Sequence, residues 1–361
     1  LIMPKVAVYT IALNEEIHVQ RWYESIKDAD LLLIADTGST DNTKELAESL
    51  GITVMDISVK PWRFDVARNA SLALLPGDID ICIQLDMDEV MSPGWRPIVE
   101  QAFAEGNNWP LYKHVNGRKE DGTPVFFSMY YKIHPRHGFT WKFPIHEVIV
   151  PIPGTEFRRE FIPVEADHIQ DVTKSRSSYL DLLETAVREE PFDWRMNHYL
   201  CREYRQFEDW LKVLQSAYKT YALPEGWDVE RASTCMWASE AADRLQLPQL
   251  AVEWAEKATL SAPHFYEMWH WRAHLAFISG NWQECRDFAI KILELQRQDH
   301  HLVKPWVWDF AGYDLLALSS SRLGLASDAL KYGQMALDGA PPQEVERLSA
   351  NLRDYQIAAG N

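Results

Sequence analysis

The stretch Asp80–Val90, DICIQLDMDEV, decides how the N-terminal half is read. It begins as a short apolar run, as a strand buried on both faces would. It then turns acidic, at Asp86-Met87-Asp88-Glu89. A strand over Asp80–Leu85 delivers these carboxylates to its carboxyl end. In extended backbone, residues i and i+2 face the same way, so Asp86 and Asp88 are expected to converge on one cation. Hard oxygen ligands with open positions suit Mg²⁺ or Mn²⁺ shared with phosphate oxygens. An isolated DxD in so acidic a chain is more often a solvated turn; its place behind an apolar strand favours the metal.

Toward the N-terminus, Val6–Leu13 (VAVYTIAL), Leu31–Asp36 (LLLIAD) and Thr53–Ile57 also read as strands. Helical patterns separate them: a stretch holding Val19, Trp22, Tyr23 and Ile26, a short helix ending at Leu50 with Gly51 as its stop, and Asp65–Leu75. Thr37–Thr43 (TGSTDNT) supplies turn and capping residues, with Asp41 or Thr40 as the expected N-cap. Strands alternating with helices predict a mostly parallel, doubly wound sheet. Ligands of such sheets sit at the carboxyl ends of strands, where Asn14-Glu15, Asp36-Thr37 and Asp86–Glu89 all fall. Residues 105–170 are less regular and hold five of the twelve histidines, namely His114, His134, His137, His146 and His168. Strands and loops completing the first domain are expected there.

From about Thr173 strand signals give way to helical ones. Pro248–Ala258 matches Trp282–Ile292 at an offset of 34, pairing Ala255 with Ala289. Ser327–Ala336 is a third copy at an offset of 44, with the extra residues around Gln298–Pro305. A looser copy lies near Trp210–Tyr221. The 34-residue period, Gly280 and Gly324 before second helices, and Pro263 and Pro341 after them, read as tetratricopeptide-like helix pairs. Such pairs stack because none buries its apolar face alone. Residues 1–170 are thus expected as an α/β domain and 171–361 as a helical repeat domain.

Bulk properties narrow the function. Thirty-six basic against 53 acidic residues leave a formal net charge of −17 in 361 residues. So acidic a chain is poorly suited to nucleic acid or an anionic membrane. The four cysteines form no CxxC pair, which disfavours a zinc site or disulfide framework. No apolar run is long enough to span a bilayer. No signal peptide is read, Met3 is taken as the start, and a cytoplasmic location is expected.

Four blocks in order, Thr10–Glu16 (TIALNEE), Ala35–Thr43 (ADTGSTDNT), Ala67–Ala70 (ARNA) and Leu85–Val90 (LDMDEV), resemble the family-2 glycosyltransferases of GT-A fold. The resemblance covers about residues 4–170. With the helical repeats, and His146-Glu147 after Phe143-Pro144-Ile145, it resembles the bacterial and phage members with tetratricopeptide tails. It implies a Rossmann-like GT-A domain binding a nucleoside diphosphate sugar, expected to be UDP-linked, with Mn²⁺ or Mg²⁺. Ala12, Leu13 and Glu15 would lie against the nucleoside. Asp36 would accept from the base N–H, and Arg68 would sit near the base or diphosphate. Asp86 would approach the ribose or metal, Asp88 would ligate the metal, and His168 would be the downstream metal ligand. Glu147 would be the catalytic base, with His146 its partner or a metal ligand. The family's usual Glu-Asp pair stands here as His-Glu.

Departure of a nucleoside diphosphate builds negative charge that a divalent cation neutralises. The anomeric carbon gains oxocarbenium character, and a carboxylate removes the acceptor proton. A single displacement inverts the anomeric centre. Glu147, behind an apolar run, is expected to be partly desolvated. The expected activity is therefore hexosyl-type transfer, with inversion, to a glycan, protein or peptide acceptor. The repeats would hold the acceptor, a partner protein or a second copy. The competing reading is a non-catalytic tetratricopeptide scaffold with a degenerate nucleotide-sugar-binding domain. Gly117–Gly122 lacks the Lys-Ser/Thr that completes a phosphate loop. Acidic Asn14-Glu15-Glu16 argues against a nucleotidyltransferase. His270 and His274, four apart, are expected to pack rather than bind metal.

Overall fold

The computed structural model describes residues 3–169, 179–224, 226–296 and 304–360. The chain divides into two compact units, 1–186 and 187–361. The expected boundary at residues 170/171, the change of texture near Thr173 and most of the Gln298–Pro305 insertion lie outside the described residues.

The first unit opens with β1 (Val6–Ala12), α1 (Glu16–Ile26), β2 (Leu31–Asp36), α2 (Thr43–Ser49), β3 (Thr53–Asp56), α3 (Phe64–Leu74) and β4 (Ile81–Gln84). It continues with β5 (Glu89–Met91), α4 (Trp95–Ala104), β6 (Leu111–Arg118), β7 (Pro124–Tyr130), β8 (Ile133–Pro135), β9 (Phe139–Lys142), β10 (Val148–Pro151) and β11 (Phe161–His168). The main sheet has the order β3-β2-β1-β4-β8. Its first four strands are parallel, and β8 joins β4 antiparallel. A second sheet, β5-β11-β6-β7, and the ribbon β10-β9 complete the unit. This is the α/β domain expected from the alternation of strands and helices.

The apolar runs of β1, β2 and β4 are buried because helices cover both faces of the parallel sheet. Val6, Val8, Ile34, Ile81 and Ile83 pack with Val19 and Trp22 of α1 on one side. Ala7, Tyr9, Leu33 and Cys82 pack with Leu72 of α3 and Trp141 of β9 on the other. Trp22 Nε1 also donates to the Leu85 carbonyl at 3.1 Å, tying α1 to the end of β4 just before Asp86.

Asp86–Glu89 is a turn, where extended backbone was expected. The Glu89 N–H closes onto the Asp86 carbonyl at 2.9 Å. Met87, 2% exposed, is drawn into the core, leaving its acidic neighbours toward the surface. Apolar burial of the middle residue thus orients Asp86 and Asp88.

The TGSTDNT loop also differs in detail. The N-cap of α2 is Asn42 rather than Asp41 or Thr40. Asp41 accepts from the Thr43 N–H (3.0 Å) and hydroxyl (2.5 Å), and from the Glu16 N–H (3.1 Å). Glu16 in turn accepts from the Asn42 N–H, and Asn14 from the Thr40 N–H. Much of the polarity in these two blocks staples one loop to the other.

Helix α5 (Tyr179–Glu189) spans the division between units. The second unit contains α6 (Trp194–Gln206), α7 (Trp210–Ala222), α8 (Asp228–Arg244), α9 (Pro248–Ser261), α10 (Tyr266–Ile278) and α11 (Trp282–Glu294). A π-helical turn (Val307–Ala311), α12 (Gly312–Arg322), α13 (Ala326–Asp338) and α14 (Pro342–Ala358) follow. Among the described residues, α6/α7, α8/α9, α10/α11 and α12/α13 form tetratricopeptide-like pairs, each joined by the same tight turn. Its left-handed residue is Glu208, Gln246, Gly280 or Gly324, with φ of 56°, 59°, 73° and 75°. The N–H of the following residue reaches back five residues, as in Asn281 to Ala276 and Leu325 to Ser320, closing a Schellman motif. Ala251, Cys285 and Ala329 are buried at matching positions of the second helices.

Candidate active site

The carboxyl end of the main sheet gathers a network of buried charge. Arg68, on α3, lies between two carboxylates: Nη1 is 2.8 Å from Asp86 Oδ1, and Nε donates to Glu147 Oε1 at 2.5 Å. Its guanidinium lies over the Trp141 ring, 5.1 Å from the centroid. Asn69 holds this geometry by bonding the Trp141 backbone N–H and carbonyl, each at 2.9 Å. In the ARNA block, therefore, the arginine faces the site and the asparagine locks α3 to β9.

Lys132, between β7 and β8, is the second cation. Its Nζ donates to Asp86 Oδ2 at 2.7 Å and to Glu89 Oε1 at 3.1 Å. Gln84 adds a 2.9 Å bond to Asp86 Oδ1. Burial alone would favour protonated Asp86, but Arg68 and Lys132 outweigh it and hold this carboxyl well below its usual range. The same pairing raises Arg68 and Lys132 above their ordinary values against the pull of desolvation.

Asp88 and His168 form a separate pair across the β5–β11 ladder, where His168 lies opposite Glu89. His168 Nε2 is 3.5 Å from Asp88 Oδ2, and this bond raises the imidazole above its ordinary value. Their side chains are 28% and 18% exposed and that of Asp86 is 26%, so a ligand can reach all three.

Arg68 brings together Asp86 and Glu147, which are far apart in sequence. Asp86 and Asp88 have different partners, with cations occupying the first and His168 beside the second. Among the described residues, no three His, Cys, Asp or Glu side chains cluster closely enough to hold a metal by themselves. Glu147 sits in an ion pair, not the simple apolar setting that Phe143-Pro144-Ile145 implied. His146 takes a left-handed backbone (φ 51°), and its ring lies edge-on to Tyr179 at 6.0 Å.

The expected nucleoside residues line the ends of β1 and β2. Ala12 is buried and Leu13 is 52% exposed. Glu15 is buried, its backbone N–H bonded to Thr43 Oγ1 at 2.7 Å and its carboxylate 3.8 Å from His18. Asp36 is enclosed: Oδ1 accepts from the Gly38 and Ser39 N–H groups, at 2.9 and 2.8 Å. Its Oδ2 is buried with no hydrogen-bond partner among the described residues.

Sequence reading missed Lys132, Glu89, His114 and Asn116. Glu89 lay in view within LDMDEV. Lys132, a lone cation in the aromatic run Tyr130-Tyr131-Lys132-Ile133-His134, was the available signal. His114 and Asn116 alternate along β6, a pattern that points to a site only once β11 is known to lie alongside.

Residues 7–151 match the model for Glycosyl transferase family 2. Over residues 7–151 the N-terminal unit is therefore similar to a family-2 glycosyltransferase domain. An uncharacterized glycosyltransferase of Rickettsia bellii is 32% identical over 137 residues, covering 37% of this chain and 45% of the relative. One from Rickettsia typhi is 31% identical over 106 residues, covering 29% of this chain and 35% of the relative. This chain thus spans less than half the length of either relative. Among solved structures, a Mycobacterium tuberculosis glucosyl-3-phosphoglycerate synthase with Mn²⁺, UDP-glucose and phosphoglyceric acid is 28% identical. It covers 31% of this chain and 44% of that one, at a TM-score of 0.27. MamA is 14% identical over 47% of this chain and 95% of its own, at a TM-score of 0.39. Superpositions this loose do not transfer a site. No helix among the described residues is long and apolar enough to cross a membrane.

Proposed function

We propose that this chain is a metal-dependent glycosyltransferase that moves a sugar, with inversion, from a nucleoside diphosphate sugar to a hydroxyl-bearing glycan, protein or peptide. The observation that carries this reading is the division of labour in the buried network. Two cations stand ready for a diphosphate, an Asp–His pair for a divalent ion, and a separate carboxylate for the acceptor. All but His168 lie within residues 7–151, the stretch that matches the Glycosyl transferase family 2 model.

The pair Asp88 and His168 suits Mg²⁺ or Mn²⁺, which commonly take one or two protein carboxylates and fill the rest of the shell with phosphate and water. Bound there, the ion would supply Lewis-acid neutralisation of the leaving diphosphate. Asp86 does not fit as a ligand while Arg68, Gln84 and Lys132 occupy both its oxygens. Its role is to hold the two cations beside the donor site. Arg68 and Lys132 bind and orient the diphosphate. As the donor's negative charge reaches Arg68, the ion pair with Glu147 loosens and Glu147 becomes free to take the acceptor proton. Asp36 Oδ2, buried with no hydrogen-bond partner among the described residues, is the acceptor for a base N–H such as that of uracil. Ala12, Leu13 and Glu15 border the nucleoside. The helical repeats present the acceptor or a partner.

Thermal melting with UDP, GDP, CMP and dTDP and their sugar conjugates, each with and without Mn²⁺, tests the donor site. One nucleotide should raise the Tm in a metal-dependent way, and Asp88→Ala should abolish the rise. No shift from any nucleotide would favour the scaffold reading. Release of free nucleotide from the stabilising conjugate then separates an enzyme from a binder.

A further inference from the structure

Asp88 and Glu89 are adjacent, yet the structure connects them a second time through three side chains on two other strands. His114 Nε2 lies 3.0 Å from Glu89 Oε1. His114 Nδ1 lies 3.4 Å from Asn116 Nδ2. Asn116 Oδ1 lies 3.0 Å from His168 Nδ1, and His168 Nε2 faces Asp88 at 3.5 Å. His114 is 4% exposed and stacked on Tyr130, with centroids 4.0 Å apart and planes within 9°. That stack fixes the plane of its ring.

Donor and acceptor rules fix the direction of the chain. The Glu89 carboxylate already accepts from Lys132 Nζ and from the Asp86 N–H. A carboxylate only accepts, so His114 Nε2 must carry the proton. A neutral His114 then presents a lone pair at Nδ1, which calls for a donor, the Asn116 amide N–H. That setting turns Asn116 Oδ1 toward His168, and an amide oxygen only accepts. His168 Nδ1 must therefore be a donor, and the proton at Nε2, held toward Asp88, is the one that can leave.

We propose that His114 and Asn116 are positioning residues that anchor His168 through Nδ1–H, so that Nε2 is the nitrogen directed at Asp88 and the one that exchanges its proton for a divalent cation. The inference rests on the metal reading above. A ligating imidazole needs its second nitrogen anchored, and outer partners of this kind commonly change metal affinity by ~10–100-fold. Asn116 thus transmits to His168 a choice made at Glu89, which is itself held by Lys132.

The test is long-range ¹H–¹⁵N correlation on the full chain with ¹⁵N-histidine, at alkaline pH and without metal. The His168 resonance, assigned by its loss in His168→Gln, should show the Nδ1–H pattern, and His114 the Nε2–H pattern. In Asn116→Leu, His168 should move toward the Nε2–H form that predominates in free histidine. Mn²⁺ affinity, read by the electron paramagnetic resonance of free Mn²⁺, should fall ~10–100-fold in that variant. Asn116→Asp still accepts from Nδ1, so it should restore the tautomer; loss of packing alone would not be rescued this way. An Nε2–H pattern for His168 in the unaltered protein would overturn the inference. If the Nδ1–H pattern is present but Asn116→Leu leaves Mn²⁺ binding intact, the proposed role of Asn116 is also overturned. Failure of the unaltered protein to bind Mn²⁺, with the tautomers as expected, would instead overturn the metal reading.

Discussion

The sheet edge of the first unit and the tryptophan-rich helices of the second treat buried ionisable groups differently. In the first, Arg68, Lys132 and Asp86 stay charged under cover because each touches an opposite charge. In the second, His198 lies between Trp194 and Trp237, with centroids 5.0 and 4.9 Å away, and bonds the Thr234 hydroxyl. Burial pushes its imidazole down to about 3, so it is packed as a neutral ring. His270 is likewise pushed down to about 3 and lies edge-on to Trp306. Keeping charges buried is costly unless pairing is close to complete. That cost is accepted at the sheet edge where the active site is proposed.

The sharpest way to break this contrast is Arg68→Met. It leaves Asp86 and Glu147 without their shared cation, and should cost the first unit about 3–5 kcal/mol and lower sugar transfer by at least ~10³-fold. Chemical denaturation and donor turnover would read these two effects. Retained transfer would detach Arg68 from the reaction.

Lys132→Met comes next. Arg68 still pairs with Asp86, so folding should survive while turnover drops by about 10²-fold. A steady-state comparison of kcat and KM checks this, and unchanged kinetics would reduce Lys132 to a structural cation.

Glu267 tests the second unit. Burial raises its carboxyl to about 7 from an ordinary 4.5. The folded form therefore holds a proton that the unfolded chain releases, and stability should decline as pH rises between about 4.5 and about 7. The total swing is on the order of 3 kcal/mol. Glu267→Gln should flatten that decline in melting curves; an unaltered pH profile would show that Glu267 is not its source.

The smallest effect is expected for His198→Phe. A flat ring of similar volume keeps the tryptophan sandwich and loses one hydrogen bond, at a cost below about 1.5 kcal/mol. Transfer should stay unchanged. A large loss of activity would mean that His198 does more than pack.

Where local pattern governs, sequence and structure agree closely. Leu31–Asp36 is β2 as read, α3 begins and ends one residue before the expected Asp65–Leu75, and the repeats fall on α9, α11 and α13. An apolar run or a heptad-like stripe carries its own burial requirement, so it is visible in one dimension. The first two turns of the repeat array were less visible, because Glu208 and Gln246 take the left-handed position held later by glycine. The site was half legible. The DxD, Arg68 and Glu147 stood in recognisable blocks, but their pairing did not.

The sequence by itself determined the α/β domain followed by helical repeats, the strand ends where polar groups gather, and the residue types available there. Only the tertiary structure decided that Asp86 belongs to Arg68 and Lys132 while Asp88 belongs to His168. That choice depends on β8 joining β4 and on β11 lying between β5 and β6. Hydrophobic periodicity specifies which face of a strand is buried. It does not specify which distant strand lies alongside, and electrostatic partners are chosen by that neighbour.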